Sequence, residues 1–335
     1  MTLTVLYPEA MYPDQSVEQQ IFGPGVRVLM RAVGTLAELA ADDCAGTDGL
    51  MIFRHFVHAA DLARFPRLKA LVRMGAGYDR VDRSAAHAHG VLVCNVPDYG
   101  TTEVADHAIA LALSLRRGLL LHHERQRATS PAAWTWIDHP LVRRSSVQTF
   151  GILGLGRIGT TAALRAKAFG FRVVAYDPYQ PSGVELALGI GRTRTLEELL
   201  RASDVLSIHT PLTAETHGML GAAELALLPA GAVVVNTARG PILDTDALMA
   251  HMQSGHIAGA GLDVLPQEPP TDPVPALLAA YRARASWLEG RLIITPHAAF
   301  HSPDAWRDIR VKSAETMRAA LLGPRPQNVI GPDPD

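Results

Sequence analysis

The chain has 335 residues, 48% of them apolar, enough to build two domains with a core each. Its 31 basic and 33 acidic side chains leave a formal charge of −2, which supplies no basic stripe for nucleic acid. Cys44 and Cys94 are too few for a disulfide framework or a cysteine-based metal cluster, no apolar run is long enough to span a bilayer, and MTLTVLYPEA lacks the basic flank and apolar core of a secretory signal; together these fit a reducing cytoplasm and exclude a membrane partner.

In chain order, the apolar runs Leu3–Tyr7, Val26–Met30, Leu50–Phe53, Ala70–Met74 and Val91–Val96 alternate with helix-like segments. That alternation predicts a parallel sheet with crossover helices. Cys94, inside VLVCNV, reads as a small core residue rather than a nucleophile. A second α/β unit begins after Pro97. Residues Thr101 to about Arg127 predict one long helix with an apolar stripe of Ala105, Ile109, Leu111, Leu115 and Leu119, followed by a loop carrying Trp134 and Trp136. Strand-like runs then recur at Thr149–Leu153, Arg172–Tyr176, Val205–His209, Ala232–Val235, Gly259–Val264 and Leu292–Thr295, matching a doubly wound nucleotide domain. Thr195 and Glu198 have capping-box spacing. Pro303 to Leu322 predicts a helix that returns to the first unit, making that unit discontinuous, and the Pro-rich end reads as a loose tail. The 14 histidines are scattered without the spacing of a ligand pair, so no metal site is expected.

The strand-like run Thr149–Leu153 leads into Gly154-Leu155-Gly156-Arg157-Ile158-Gly159, and Asp177 ends the next run, 18 residues after Gly159. In a dinucleotide-binding unit the first glycine makes the turn, the second lets backbone amides reach the pyrophosphate, and the third lets helix and strand pack closely. The phosphates sit on the helix N-terminus. A carboxylate at the second strand end accepts from the adenosine ribose hydroxyls and repels a 2′-phosphate. With no cation among Pro178, Tyr179 and Gln180, this predicts NAD in preference to NADP.

Three further residues follow strand-like runs: Arg239 in NTARGP, Glu268 in LPQEPP and His297 in TPHAAF. An imidazole titrates near neutrality and suits protonation of a carbonyl oxygen as a hydride arrives. A carboxylate on its other nitrogen would fix the tautomer and stabilise the imidazolium. A guanidinium fork can hold a substrate carboxylate and polarise the adjacent carbonyl. Arg239, Glu268 and His297 are therefore the candidate catalytic residues.

The blocks GILGLGRIG, LSIHTPLTAETHGML, VVVNTARGPILD, GLDVLPQEPP and TPHAAF resemble, in that order, the D-isomer-specific 2-hydroxyacid dehydrogenases. The resemblance implies two Rossmann-like α/β domains, a flavodoxin-like substrate domain at 1–97 and 298–335 and an inserted NAD-binding domain at 98–297, with the dinucleotide in the interdomain cleft and homodimers built through the insert. It implies reversible hydride transfer between NADH and a small 2-oxo acid, giving the (R)-2-hydroxy acid. VRMGAGYD, CNVPDY and PHAAF are similar to the C-terminal-binding-protein branch, which implies substrate contacts from Arg73, Ala76 and Gly77 beside Arg239. Phe300 stands where tryptophan is frequent in that branch, bearing on pocket size. Cofactor contacts implied are Gly154, Gly156, Arg157, Ile158, Gly159, Asp177, His209, Thr210, Pro211, Thr216, Thr237 and Ala238, with Asp263 near the nicotinamide amide. Trp134 is either an aromatic reaching the partner subunit's pocket or an interface residue remote from it. Arg54 and His55 line the substrate pocket or face solvent. Formate-oxidising relatives are expected to carry glutamine at the Glu268 position, and the end of the chain after Leu322 predicts no regulatory domain. The alternatives are an NAD(H)-responsive corepressor-like interaction protein and a phosphite-type dehydrogenase.

Overall fold

Five short apolar segments, β1 (Leu3–Tyr7), β2 (Val26–Met30), β3 (Gly49–Ile52), β4 (Ala70–Arg73) and β5 (Leu92–Cys94), pair in parallel in the order β2-β1-β3-β4-β5. The computed structural model describes residues 2–127 and 134–332. It divides the chain into two units, Met1–Gly100 with His301–Asp335, and Thr101–Phe300.

In the first unit β1, β3 and β4 are buried almost throughout, as strands covered on both faces must be, and this is why they read as continuous apolar runs. The strand order reverses between β1 and β3, and there the Glu9 carboxylate accepts from the backbone N–H of Phe53 at 2.6 Å and of Arg54 at 2.9 Å. The helix Pro303–Leu322, begun by Ser302 accepting from Ala305 N–H, packs on β4 and on the helix Ser16–Phe22. Arg310 on the long helix donates to both oxygens of the fully buried Glu18, at 2.8 and 2.7 Å. Cys94 is buried in β5 and burial pushes its thiol up to about 11, leaving it protonated and inert at neutral pH.

The second unit holds a parallel sheet of β6 (Thr149–Leu153), β7 (Arg172–Tyr176), β8 (Gly191–Arg192), β9 (Val205–Ile208), β10 (Ala232–Asn236), β11 (Ile257–Leu262) and β12 (Leu292–Ile294), in the order β12-β11-β10-β9-β6-β7-β8. Alternate residues feed two cores. Ile152, Val233 and Val235 join the cluster under the helices Thr101–Arg116 and Arg157–Ala168, whereas Leu153 and Val234 join Leu206, Leu220 and Leu248 on the other face. Each fully buried aliphatic side chain contributes about 1.5–3 kcal/mol relative to exposure.

Two details depart from the sequence reading. The strand β8 is only two residues long, too short to show a period, and it extends the sheet past β7. The expected single helix to Arg127 is two, Thr101–Arg116 and Leu119–Arg127. Gly118 adopts φ +59° between them, which ends the first helix. Arg116, fully buried, donates to the carbonyls of Asp204 and Gly231 and anchors that end to the sheet. Leu119, expected on the apolar stripe, is consequently 56% exposed, whereas Ala105, Ile109, Leu111 and Leu115 are buried.

Candidate active site

The strands β10, β11 and β12 lie side by side with Asn236 level with Leu262 and Leu262 level with Ile294, so their carboxyl ends form one ledge. Ligands of open α/β sheets collect at such ends. Arg239 is carried by the turn after β10, Glu268 by the loop after β11, and His297 by the turn after β12.

Each carrier has a local cause. The buried Asn236 side chain folds the first turn: its amide nitrogen donates to the Arg239 carbonyl at 2.9 Å and its oxygen accepts from Ala238 N–H at 3.0 Å. The Arg239 guanidinium donates to the Ala238 carbonyl at 2.8 Å. His297 has φ +52°, a left-handed conformation that costs an L-residue about 1–3 kcal/mol unless its surroundings impose it. Asp263 imposes it. The N–H groups of His297, Ala298 and Ala299 all donate to Asp263, the first to its carbonyl at 2.7 Å and the others to its carboxylate at 2.8 and 2.9 Å.

Asp263 is buried and also accepts from the Thr295 hydroxyl at 2.5 Å. Because that hydroxyl proton is committed to Asp263, His107 Nε2, 3.0 Å from the same oxygen, must be the donor in its contact. Both carboxylate oxygens of Asp263 are thus engaged in holding the turn that presents His297.

His297 Nδ1 stands 2.5 Å from Glu268 Oε2, while Glu268 Oε1 accepts from Leu265 N–H at 2.8 Å. Burial works to raise the Glu268 carboxyl, but the hydrogen bond and charge of His297, the Leu265 N–H and the charge of Arg239 together hold it below the ordinary carboxylate value. The carboxylate is therefore ionised at neutral pH, Nδ1 carries the proton between them, and the opposite ring nitrogen, Nε2, has no hydrogen-bond partner among the described residues. The Phe300 ring meets the imidazole edge to face, centroids 6.4 Å apart. A guanidinium, a carboxylate-supported imidazole and one available ring nitrogen can bind a carboxylate and deliver a proton.

The residues of the glycine motif fit a dinucleotide. A Cβ on Gly154, at φ +92°, would stand 2.8 Å from the Thr210 nitrogen, and one on Gly159 would stand 1.9 Å from the Gly154 carbonyl oxygen. Around Gly156 no heavy atom comes within 4 Å of that position, so the fold closes on the first and third glycines and leaves a cradle at the second. Gly156 starts the helix at Arg157 without a side-chain cap, and Ile158 lies half-buried in its first turn. Among the described residues the buried hydroxyls of Thr210 and Thr237 have no hydrogen-bond partner, nor has Nδ1 of His209, whose ring burial pushes down to about 4 and whose Nε2 lies 2.9 Å from the Ser207 hydroxyl. Pro211 is exposed and Ala238 half-buried beside them in their loops. Unpartnered buried polar atoms around an open glycine suit a polar, phosphate-bearing group.

Asp177 uses one oxygen on Leu155 N–H at 2.8 Å and the other on Tyr179 N–H at 2.9 Å, tying the strand end to the glycine turn. The Thr216 hydroxyl is spent inside its own loop, donating to the Pro211 carbonyl at 2.7 Å. In the first unit Arg73 is buried at the end of β4, 5.7 Å from the Phe53 ring centre, with Ala76 and Gly77 half-buried in the turn beyond. Arg54 is exposed with its guanidinium 5.6 Å from the same ring, and His55 is half-buried. Trp134 is 86% exposed.

Sequence reasoning missed Asn236, Thr295 and His107, polar residues that hold the ledge. A polar residue closing the apolar run AVVVN was the one visible signal. It also missed Arg192, which β8 brings beside β7: its guanidinium donates to the carbonyls of Asp177, Gln180 and Pro181 at 3.1, 2.8 and 3.0 Å. Among the described residues no three His, Cys, Asp or Glu side chains gather to hold a metal, and no helix is long and apolar enough to cross a membrane.

Residues 109–299 match the family model described as D-isomer specific 2-hydroxyacid dehydrogenase, NAD binding domain. The chain is 33% identical over 288 residues to a glycerate dehydrogenase of Methylorubrum extorquens, covering 85% of this chain and 86% of that one. It is 38% identical over 274 residues to a D-3-phosphoglycerate dehydrogenase of Mycobacterium bovis, covering 80% of this chain but spanning only 48% of that protein. Among solved structures it is similar to an NADPH-dependent glyoxylate/hydroxypyruvate reductase of Sinorhizobium meliloti in complex with NADP and malonate, with TM-score 0.83 and 28% identity over 100% of this chain and 98% of the other.

Proposed function

The chain belongs to the D-isomer-specific 2-hydroxyacid dehydrogenase family, an oxidoreductase family, and from that premise we propose that it reversibly reduces a small 2-oxo acid to the (R)-2-hydroxy acid with NADH. The observation that carries the reading is the Glu268–His297 pair at 2.5 Å, with the charge of Arg239 acting on the same carboxylate. When bound, the dinucleotide supplies the hydride from its nicotinamide ring. Gly154 to Gly159, Asp177, Thr210 and Thr237 would hold it. The preference for NAD over NADP rests on the Asp177 carboxylate at the end of β7.

The chain's own residues do the rest. Arg239 engages the substrate carboxylate with its planar fork and draws electron density from the neighbouring carbonyl. Arg73, with the backbone around Ala76 and Gly77, completes carboxylate recognition in this proposal, and Phe300 bounds the acyl side chain. His297 donates the Nε2 proton to the carbonyl oxygen in reduction and takes it back in oxidation, while Glu268 balances the imidazolium charge. We place this activity in a cytoplasmic homodimer, a reading supported by two buried free cysteines and the family's habit.

The direct test is steady-state turnover with NADH on glyoxylate, hydroxypyruvate, pyruvate, phenylpyruvate and 4-methylthio-2-oxobutyrate, with chiral analysis of the product. Turnover of one or more to the (R)-isomer is expected. No turnover on any of them, or an (S)-product, sinks the proposal. The same panel identifies the acyl side chain.

Two substitutions probe the ledge. Glu268→Gln keeps a hydrogen-bond acceptor but removes the counter-charge, so the imidazolium is less stable. Reduction needs the protonated ring and is lost as pH rises, so in this variant that loss begins at lower pH than in the parent. Because the Glu268 carboxyl is held below its ordinary value, its contribution to the folded state is present above that value and disappears only as pH falls through the lowered one. A pH-rate profile identical to the parent's would break the pairing. Arg239→Lys replaces a fork with a point charge and lowers kcat/KM for 2-oxo acids by about 10- to 100-fold. Full activity would remove Arg239 from substrate recognition.

A further inference from the structure

In the second sheet β6 lies between β9 and β7, so any bond joining the loops after β7 and β9 crosses the glycine turn at the end of β6. One such bond exists: the Tyr179 hydroxyl donates to the Glu215 carboxylate. Both side chains are exposed, Tyr179 by 78%, so burial does not force them together.

The loops hold both ends in place. Tyr179 N–H donates to Asp177, whose second oxygen accepts from Leu155 N–H in the glycine turn. The turn carrying Glu215 is pinned by Thr216, whose hydroxyl donates to the Pro211 carbonyl and accepts from Thr213 N–H at 2.9 Å. The Glu215 hydrogen bond and charge, burial, and the charges of Tyr176 and Asp177 all push the Tyr179 hydroxyl up, so both carboxylates act on one phenol. The cation Arg192 directs its fork to the carbonyls of Asp177, Gln180 and Pro181 and to the Glu185 carboxylate.

We propose that Glu215, positioned by Tyr179, is a second specificity residue of the adenosine end of the groove and acts with Asp177 to reject a 2′-phosphate on the ribose. The inference rests on the reading that a nicotinamide dinucleotide is the cofactor. The phosphate adds up to two negative charges, and a carboxylate fixed across the groove repels them through a field that salt weakens. Asp177 also competes for the ribose hydroxyls, whereas Glu215 contributes charge alone. Its effect therefore falls on NADPH and spares NADH.

The test is fluorescence titration of the full chain with NADH and with NADPH, for the parent, Glu215→Gln and Tyr179→Phe, at low and high salt. Glu215→Gln is expected to tighten NADPH by roughly three- to tenfold at low salt, to leave the NADH Kd within about twofold, and to lose most of the gain at high salt. Tyr179→Phe keeps the carboxylate but releases it, and gives a smaller gain of the same sign. An unchanged NADPH Kd in Glu215→Gln, with NADH still bound, overturns the inference and leaves the dehydrogenase reading standing. Equal weakening of both dinucleotides would reduce the pair to a loop clamp, and a parent that binds NADPH as tightly as NADH would mean that Arg192 reads the phosphate; either result overturns it. If the parent binds neither dinucleotide, the cofactor reading itself fails.

Discussion

Replacing His297 by alanine lowers reductase turnover by roughly two to four powers of ten, measured as NADH oxidation with the best substrate of the 2-oxo acid panel. The size follows from the geometry. Nδ1 is committed to Glu268 at 2.5 Å, so Nε2 is the one nitrogen of the pair able to deliver a proton, and alanine leaves water as the acid. Arg239 is untouched, so KM changes far less than kcat, and exogenous imidazole restores part of the rate. A variant within threefold of the parent's turnover would remove His297 from the proton transfer and leave Arg239 and the dinucleotide cradle as the whole of the site.

Glu18→Ala destabilises the first unit by about 3 kcal/mol, read as a lower denaturation midpoint of the full chain. Glu18 is fully buried and takes two hydrogen bonds from Arg310, whose guanidinium lies 4.6 Å from the Tyr12 ring centre. Those bonds and the charges of Glu18 and Asp14 hold the Arg310 guanidinium well above its usual range, despite partial burial. Alanine leaves that charge in a partly apolar site with Asp14, at 3.0 Å, as its remaining carboxylate. The pair joins the helix Ser16–Phe22 to the helix Pro303–Leu322, so the loss falls on the contact that closes the unit from both ends of the chain. A shift below about 1 kcal/mol would mean that Asp14 and solvent replace the partner in full.

Strands that are buried on both faces leave a strong trace in a sequence, and eleven of the twelve here coincide with or fall within two residues of an apolar run or its edge, the two-residue β8 being invisible. The helix Pro303–Leu322 begins and ends where its cap and its last apolar residue place it. The break at Gly118 escaped because the residues on either side keep helical composition, and one glycine is compatible with a continuous helix until a buried arginine and a left-handed turn exclude it.

Residue types and their order along the chain were enough to name a parallel α/β architecture, and they marked the glycine motif, the acidic strand end and Arg239, Glu268 and His297 as the candidate site, because each follows a local run whose period and chemistry are short-range. Folding brought in what no local run contains: Asn236 shaping the turn under Arg239, Asp263 drawing three successive N–H groups into the left-handed turn of His297, and Arg192 arriving at Asp177 and Glu215 at Tyr179 from other strands. Those contacts join residues 15 to 36 positions apart or depend on backbone geometry, and hydrogen bonds made across neighbouring strands carry no pattern that spacing along the chain can reveal.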